Sequence, residues 1–210
     1  MNQLARTGDK EMVKAPANSI HPETRTAWRT WLEQNQTRTE GIWLISYKKA
    51  TGKPRFDYDE AVEEALCFGW IDSKANKLDQ ERSLLWFAPR RGGTGWSKLN
   101  KQRVERLIQQ GLMMPAGLAK VEAAKADGSW NALDAIEALE IPPDLEQALT
   151  TFGEAKQNFE AFPRSVKRGI LEWIAAAKKP ETRAKRVEET AQLAAKNLRA
   201  NQWRNKSALE

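Results

Sequence analysis

Apolar positions recur at helical spacing early in the chain. Pro22 opens a first turn, and Ala27, Trp28, Trp31 and Leu32 follow on one side, which predicts a helix over 22–35. After Gly41 the pattern changes. Ile42–Tyr47 reads Ile-Trp-Leu-Ile-Ser-Tyr, a run of β-formers expected as a strand buried on both faces, and 48–54 reads as a loop. Asp57 supplies an N-cap for a helix over 58–68, with Ala61, Val62, Ala65, Leu66 and Phe68 inward and Gly69 at its end. Two strands, 70–78 and 83–88, flank the short turn Asp79–Arg82 and predict a hairpin. A glycine loop follows at 92–95. Ser97 then caps a helix over 98–110 that Gly111 terminates, and Pro115 opens another to Asp127. Beyond Trp130 the pattern predicts helices over 131–139, 143–151, 153–161, 164–178 and 181–198. Val166, Ile170, Trp173, Ile174 and Ala177 make one apolar stripe, and Val187, Ala191, Ala194 and Leu198 a weaker one.

These elements predict an α+β fold, predominantly helical. A small three-stranded antiparallel sheet with flanking helices occupies 21–127, and a helical C-terminal unit occupies 128–198. Residues 1–20 are expected as a disordered tail and 199–210 as a flexible one. A chain of 210 residues buries roughly 70% of its unfolded surface, so it needs no disulfide or metal staple. No apolar run approaches the roughly 18 residues of a bilayer span. The first ten residues show no apolar block before a cleavage site. With a single cysteine, Cys67, the expected location is a reducing cytoplasm.

Charge sharpens the picture. Between Arg82 and Arg106 lie seven basic residues and only Glu105 as an acid, so this segment equals the whole excess of +6. Such a field attracts phosphates, carboxylates or acidic protein surfaces. Within it, Arg90-Arg91-Gly92-Gly93-Thr94-Gly95-Trp96-Ser97-Lys98 places two guanidiniums before a glycine loop that leads into a helix start, where free N–H groups favour anions. It is not a nucleotide-binding P-loop, because no Gly-Lys-Ser/Thr follows. In the next helix, Val104, Leu107 and Ile108 define the buried face, with Asn100 inside it and Arg103 on its border. Asp72, after a mostly apolar stretch, calls for a partner among Arg90, Arg103 and Lys48. The candidate ligand-binding residues are therefore Lys48, Asp72, Arg90, Arg91, Trp96, Asn100 and Arg103, expected to converge on one cationic pocket. One histidine, His21, and one buried cysteine leave no metal site and no acid–base set, so no catalytic residue, metal or cofactor is assigned.

Longer motifs resemble a known family. His21-Pro22-Glu23-Thr24-Arg25, Trp28–Leu32, Gly41–Leu44, Tyr47–Lys49, Tyr58–Ser73, Phe87–Arg90, Trp96–Asn100 with Arg103-Val104, and the helical end from Trp173 to Arg186 are similar to the YdeI/OmpD-associated, or bacteriocin-protection, family over about residues 20–198. The resemblance implies resistance to bacteriocins or antimicrobial peptides, association with an outer-membrane porin and an envelope location. Joined to the residues, it points to an accessory binding protein with a basic pocket for an anionic small molecule or acidic protein surface. The alternative is a nucleic-acid-binding protein using the Arg82–Arg106 segment, with Trp96 stacking on bases. A third reading, an enzyme acting on a phosphorylated or carboxylated metabolite through Asp72 and Lys48, has less to carry it.

Overall fold

The computed structural model describes residues 13–202. They divide into two compact units: one runs through Thr94 and resumes over Leu99–Trp130, and the other comprises Gly95–Lys98 and the chain from Asn131 onward.

The first unit is built on a four-stranded sheet of β1 (Ser19–Ile20), β2 (Ile42–Tyr47), β3 (Trp70–Lys77) and β4 (Arg82–Pro89), in the order β1-β2-β4-β3. β3 and β4 form the predicted hairpin. Its turn is closed by Asp79, whose Oδ1 accepts the backbone N–H groups of Glu81 and Arg82 at 2.9 and 2.7 Å. β2 runs antiparallel to β4, with Ile42 opposite Phe87 and Tyr47 opposite Arg82. β1 corrects the expected three-stranded antiparallel sheet. It is a fourth strand, parallel to β2, and comes from a stretch expected to be disordered. Asn18 holds it there: its carbonyl accepts the N–H of Trp43 at 3.0 Å and its Nδ2 donates to the Gly41 carbonyl at 2.7 Å. Partners this distant in sequence leave no local periodicity. The rest of the expected tails, 1–12 and 203–210, lies outside the described residues.

Two helices, α1 (Arg25–Gln34) and α2 (Tyr58–Cys67), pack against one face of this sheet. α1 starts at a Thr24 cap rather than at Pro22, with Thr24 Oγ1 accepting the Ala27 N–H at 3.1 Å. Trp28 is fully buried, lies 5.3 Å from the Phe87 ring and donates its indole N–H to the Ala61 carbonyl at 3.1 Å. α2 opens with a capping box between Asp57 and Glu60 and ends at Gly69, whose φ of +77° suits glycine.

An ionic layer joins α1 and α2 to α3 (Lys98–Gln109). The buried Glu64 accepts from Arg25 Nε and Arg29 Nη1, both at 2.6 Å. Arg103 pairs with Asp59, and Arg106 with Glu63. α3 buries Arg103, Val104 and Leu107, whereas Ile108, expected inward, is 43% exposed. α4 (Pro115–Ala126) crosses the end of α2 at Gly117, where an added Cβ would sit 2.3 Å from the Cys67 carbonyl oxygen.

The second unit holds α5 (Asp134–Glu137), α6 (Pro143–Thr151), α7 (Ala155–Ala161), α8 (Arg164–Ala175) and α9 (Pro180–Ala195). Its core includes Leu145, Leu149, Phe159, Ile170, Ile174 and Ala191. α5, α8 and α9 are shorter than their apolar patterns predict. Leu198, expected in the last stripe, lies past α9 and is 42% exposed, while Ala200, expected in a flexible tail, is buried in this core.

Candidate functional site

Within the first unit a concavity opens at one end of the sheet, where β2 begins and β4 finishes. It is a cleft of about 720 Å³. The α1–β2 loop (residues 36–41), Trp86 and Ala88 of β4, Phe68 to Trp70 at the start of β3, Arg90, Arg91, and Ala116 and Lys120 of α4 line it. The backbone sets its walls. The Arg90 N–H donates to the Gly69 carbonyl at 2.9 Å, extending the hairpin by one rung. A Cβ at Gly69 would lie 2.7 Å from Lys120 Cγ, and one at Gly41 would lie 2.4 Å from Trp86 Cζ2, so both walls depend on glycine.

Four cations line the cleft and one carboxylate, Glu40, does. Arg38 is committed to the loop itself, donating to Asn18 Oδ1 at 2.6 Å and to the Glu40 carbonyl at 3.1 Å. Arg90 is only 6% exposed and donates to the Thr94 carbonyl at 3.3 Å; burial pushes its pKa down to about 10. Arg91 and Lys120 are exposed, and their side chains make no hydrogen bond or ion pair among the described residues. The glycine loop is less open to anions than its sequence promises. The Gly93 N–H already donates to Asp127 Oδ2 at 3.0 Å. Asp127 is held below the usual carboxylate range by its hydrogen bonds with Ser129 and Gly93.

The seven sequence-predicted residues do not gather at one place. Arg90 and Arg91 line the cleft. Lys48 follows the far end of β2, where its Nζ donates to the carbonyls of Asp79 and Gln80 at 2.7 and 3.0 Å. The eight residues of β4, seven steps at about 3.3 Å each, separate it from Arg90 by more than ~20 Å along the sheet. Asp72, Asn100 and Arg103 do meet, around the start of α2. Tyr58 donates to Asp72 Oδ2 at 2.9 Å, the Arg103 guanidinium lies 6.0 Å from the Tyr58 ring centre, and Arg103 Nη1 donates to Asn100 Oδ1 at 2.8 Å. The partner of Asp72 is thus a phenol rather than a cation, and burial together with this bond pushes the Tyr58 pKa up to about 12. Trp96 belongs to the second unit and is 2% exposed, which leaves little surface for stacking on a base. Three of the seven cations in the basic segment pair with acids outside it: Arg82 with the neighbouring Asp79, and Arg103 and Arg106 with the distant Asp59 and Glu63.

Sequence reasoning missed Lys120, Trp86 and the 36–41 loop as parts of the cleft. The available signal was the pair Gly41 and Gly69, each beside a strand start. No group of three or more His, Cys, Asp or Glu among the described residues is arranged to hold a metal ion, and none of their helices is long and apolar enough to cross a membrane.

Residues 138–197, which hold α6 to α9, match the family model described as bacteriocin-protection, YdeI or OmpD-associated. This stretch is similar to that family. Residues 20–120 match a second model, a domain of unknown function (DUF8412). The cleft residues from Gln36 to Lys120 fall within that second match and outside the first, as do the motifs from His21 to Val104 that carried the family resemblance. No curated protein and no solved structure matches the chain.

Proposed function

We propose that this protein is an accessory protein of the YdeI/OmpD-associated type that acts by binding, and that the cleft of its first unit takes an anionic ligand through Arg90, Arg91 and Lys120. One observation carries the reading: two solvent-facing cations without a bond among the described residues share a cleft with a buried guanidinium, and the single carboxylate there is salt-bridged to Arg38. Cations so placed gain most from a charged acceptor, and guanidiniums bind phosphate and carboxylate bidentately. The nucleic-acid alternative has less support, since three arginines of the basic segment are spent on internal ion pairs.

Isothermal titration with pyrophosphate and with citrate at low ionic strength tests this. Both should bind, more weakly as salt rises. The double substitution Arg91→Ala/Lys120→Ala, at exposed positions, should weaken binding at least tenfold and leave the unfolding midpoint in place. No heat at millimolar anion, or an unaffected double variant, would overturn the proposal.

A further inference from the structure

A small inorganic anion would leave most of a 720 Å³ cleft filled with water, and much of the lining is apolar: Phe68, Trp70, Trp86, Ala88, Pro89 and Ala116. Sites of this volume ordinarily enclose ligands with a sizeable apolar part fixed by a few polar groups. The three lining aromatics are not equivalent. Phe68 and Trp70 are 3% and 1% exposed and belong to the core, whereas Trp86 is half-buried and keeps surface toward solvent. Its indole is held from two directions. Bare backbone at Gly41 backs the six-membered ring, and Trp43 meets it edge-on with centroids 5.1 Å apart. Strand alternation then sets the layout. Trp86, Ala88 and Arg90 follow one another at two-residue steps, so the half-buried ring and the buried guanidinium rise from backbone positions about 13 Å apart, at roughly 3.3 Å per residue. A sugar-phosphate spans such a gap; a single carboxylate on a ring does not.

Resting on the anion-binding reading above, we propose that the ligand is a nucleoside phosphate, its base stacked on Trp86 and its phosphates held by Arg90, Arg91 and Lys120. A fixed indole is a suitable platform because every base has a π face, and stacking on an aromatic side chain typically strengthens binding tenfold or more.

The experiment compares ADP, pyrophosphate, adenosine and a ten-residue oligothymidylate on the full-length protein, by titration calorimetry and tryptophan fluorescence. ADP should bind at least tenfold more tightly than pyrophosphate, quench fluorescence, and outbind adenosine. Trp86→Leu should bring ADP within about twofold of pyrophosphate while leaving pyrophosphate affinity unchanged. If Trp86→Leu does not fold, Trp86→Phe serves, with a reduced but surviving preference for ADP. Equal affinity for ADP and pyrophosphate refutes the nucleoside assignment and leaves the anion site standing. Absence of binding by both removes the two together. An oligothymidylate bound more than tenfold tighter than ADP would mean that the ligand is a strand, and the inference falls.

Discussion

The contact between α4 and α2 allows one substitution to be tried at two sites with opposite expected signs. Gly117 and Gly169 both lie inside helices, α4 and α8. Helix propensity alone says that Ala should stabilise at either by about 0.5–1 kcal/mol, chiefly by restricting the unfolded chain. Space decides otherwise at one of them. A Cβ at Gly117 would lie 2.3 Å from the Cys67 carbonyl oxygen and 2.8 Å from the Leu66 carbonyl oxygen, both backbone. That is about 1 Å short of an ordinary C···O approach of ~3.3 Å, so α4 must back away. The retreat also stretches the 3.0 Å bond from the Met114 N–H to the Cys67 carbonyl. Overpacking costs about 1–3 kcal/mol and a weakened hydrogen bond up to ~1 kcal/mol, which together outweigh the propensity gain. Gly117→Ala should therefore destabilise by about 1–3 kcal/mol. At Gly169 a Cβ would meet nothing within 4 Å, so Gly169→Ala should stabilise by about 0.5–1 kcal/mol. Urea unfolding followed by far-ultraviolet circular dichroism gives both changes, and native-state amide exchange assigns them to α2 and α4 or to α8. If the two variants shift in the same direction, the close approach of α4 to α2 is not what selects glycine at 117.

Glu64→Ala should destabilise by about 2–3 kcal/mol in the same urea assay: breaking a buried pair costs about 3–5 kcal/mol, but Arg25 and Arg29 keep enough exposure for water to recover part of it. Glu64→Gln should cost less, since an acceptor oxygen remains. In the second unit Arg183 donates twice to Asp144, at 2.7 and 2.9 Å, and holds its carboxyl below the usual carboxylate range. A depressed folded-state pKa stabilises at pH above the unfolded value near 3.9, and that stabilisation is lost as pH falls through the folded-state value. Asp144→Asn should accordingly cost about 0.5 kcal/mol at neutral pH, a figure reduced for exposure, with its melting temperature converging on that of the parent protein in acid.

Elements marked by their own residues were legible in the sequence. Asp57 and Gly69 bracket α2, Pro143 opens α6, and the short turn at Asp79 announces the hairpin. What escaped reading depends on partners distant in the chain. β1 is two residues whose register is set by Asn18 and β2, and its apolar content is a single isoleucine. The basic segment looked uncompensated because Asp59 and Glu63 lie 44 and 43 residues from the arginines they neutralise. Arg103, on the border of the expected buried face, is inside it, since Asp59 and Asn100 satisfy its guanidinium, and Ile108 is correspondingly turned out. At the cleft, the arginine pair after β4 was readable. Lys120 was not, because its neighbour Gly69 is 51 residues away and nothing in the pattern of α4 marks one lysine from another.

The brevity of β1 also bears on how the protein survives damage. β2 is a six-residue, uncharged, β-rich strand, and β1 pairs with it only at Trp43 and Leu44. Ser19 and Ile20, beside an Asn18 that bonds to Gly41 and Arg38, stop the backbone of β2 from presenting a continuous row of unpaired donors and acceptors. A strand edge so exposed is a template on which another chain can add and begin to aggregate. The segment around Asn18 thus works as a stopper on the sheet. A proteolytic nick there would remove few contacts from the folded core, yet would turn a covered strand edge into a seed for insoluble assembly.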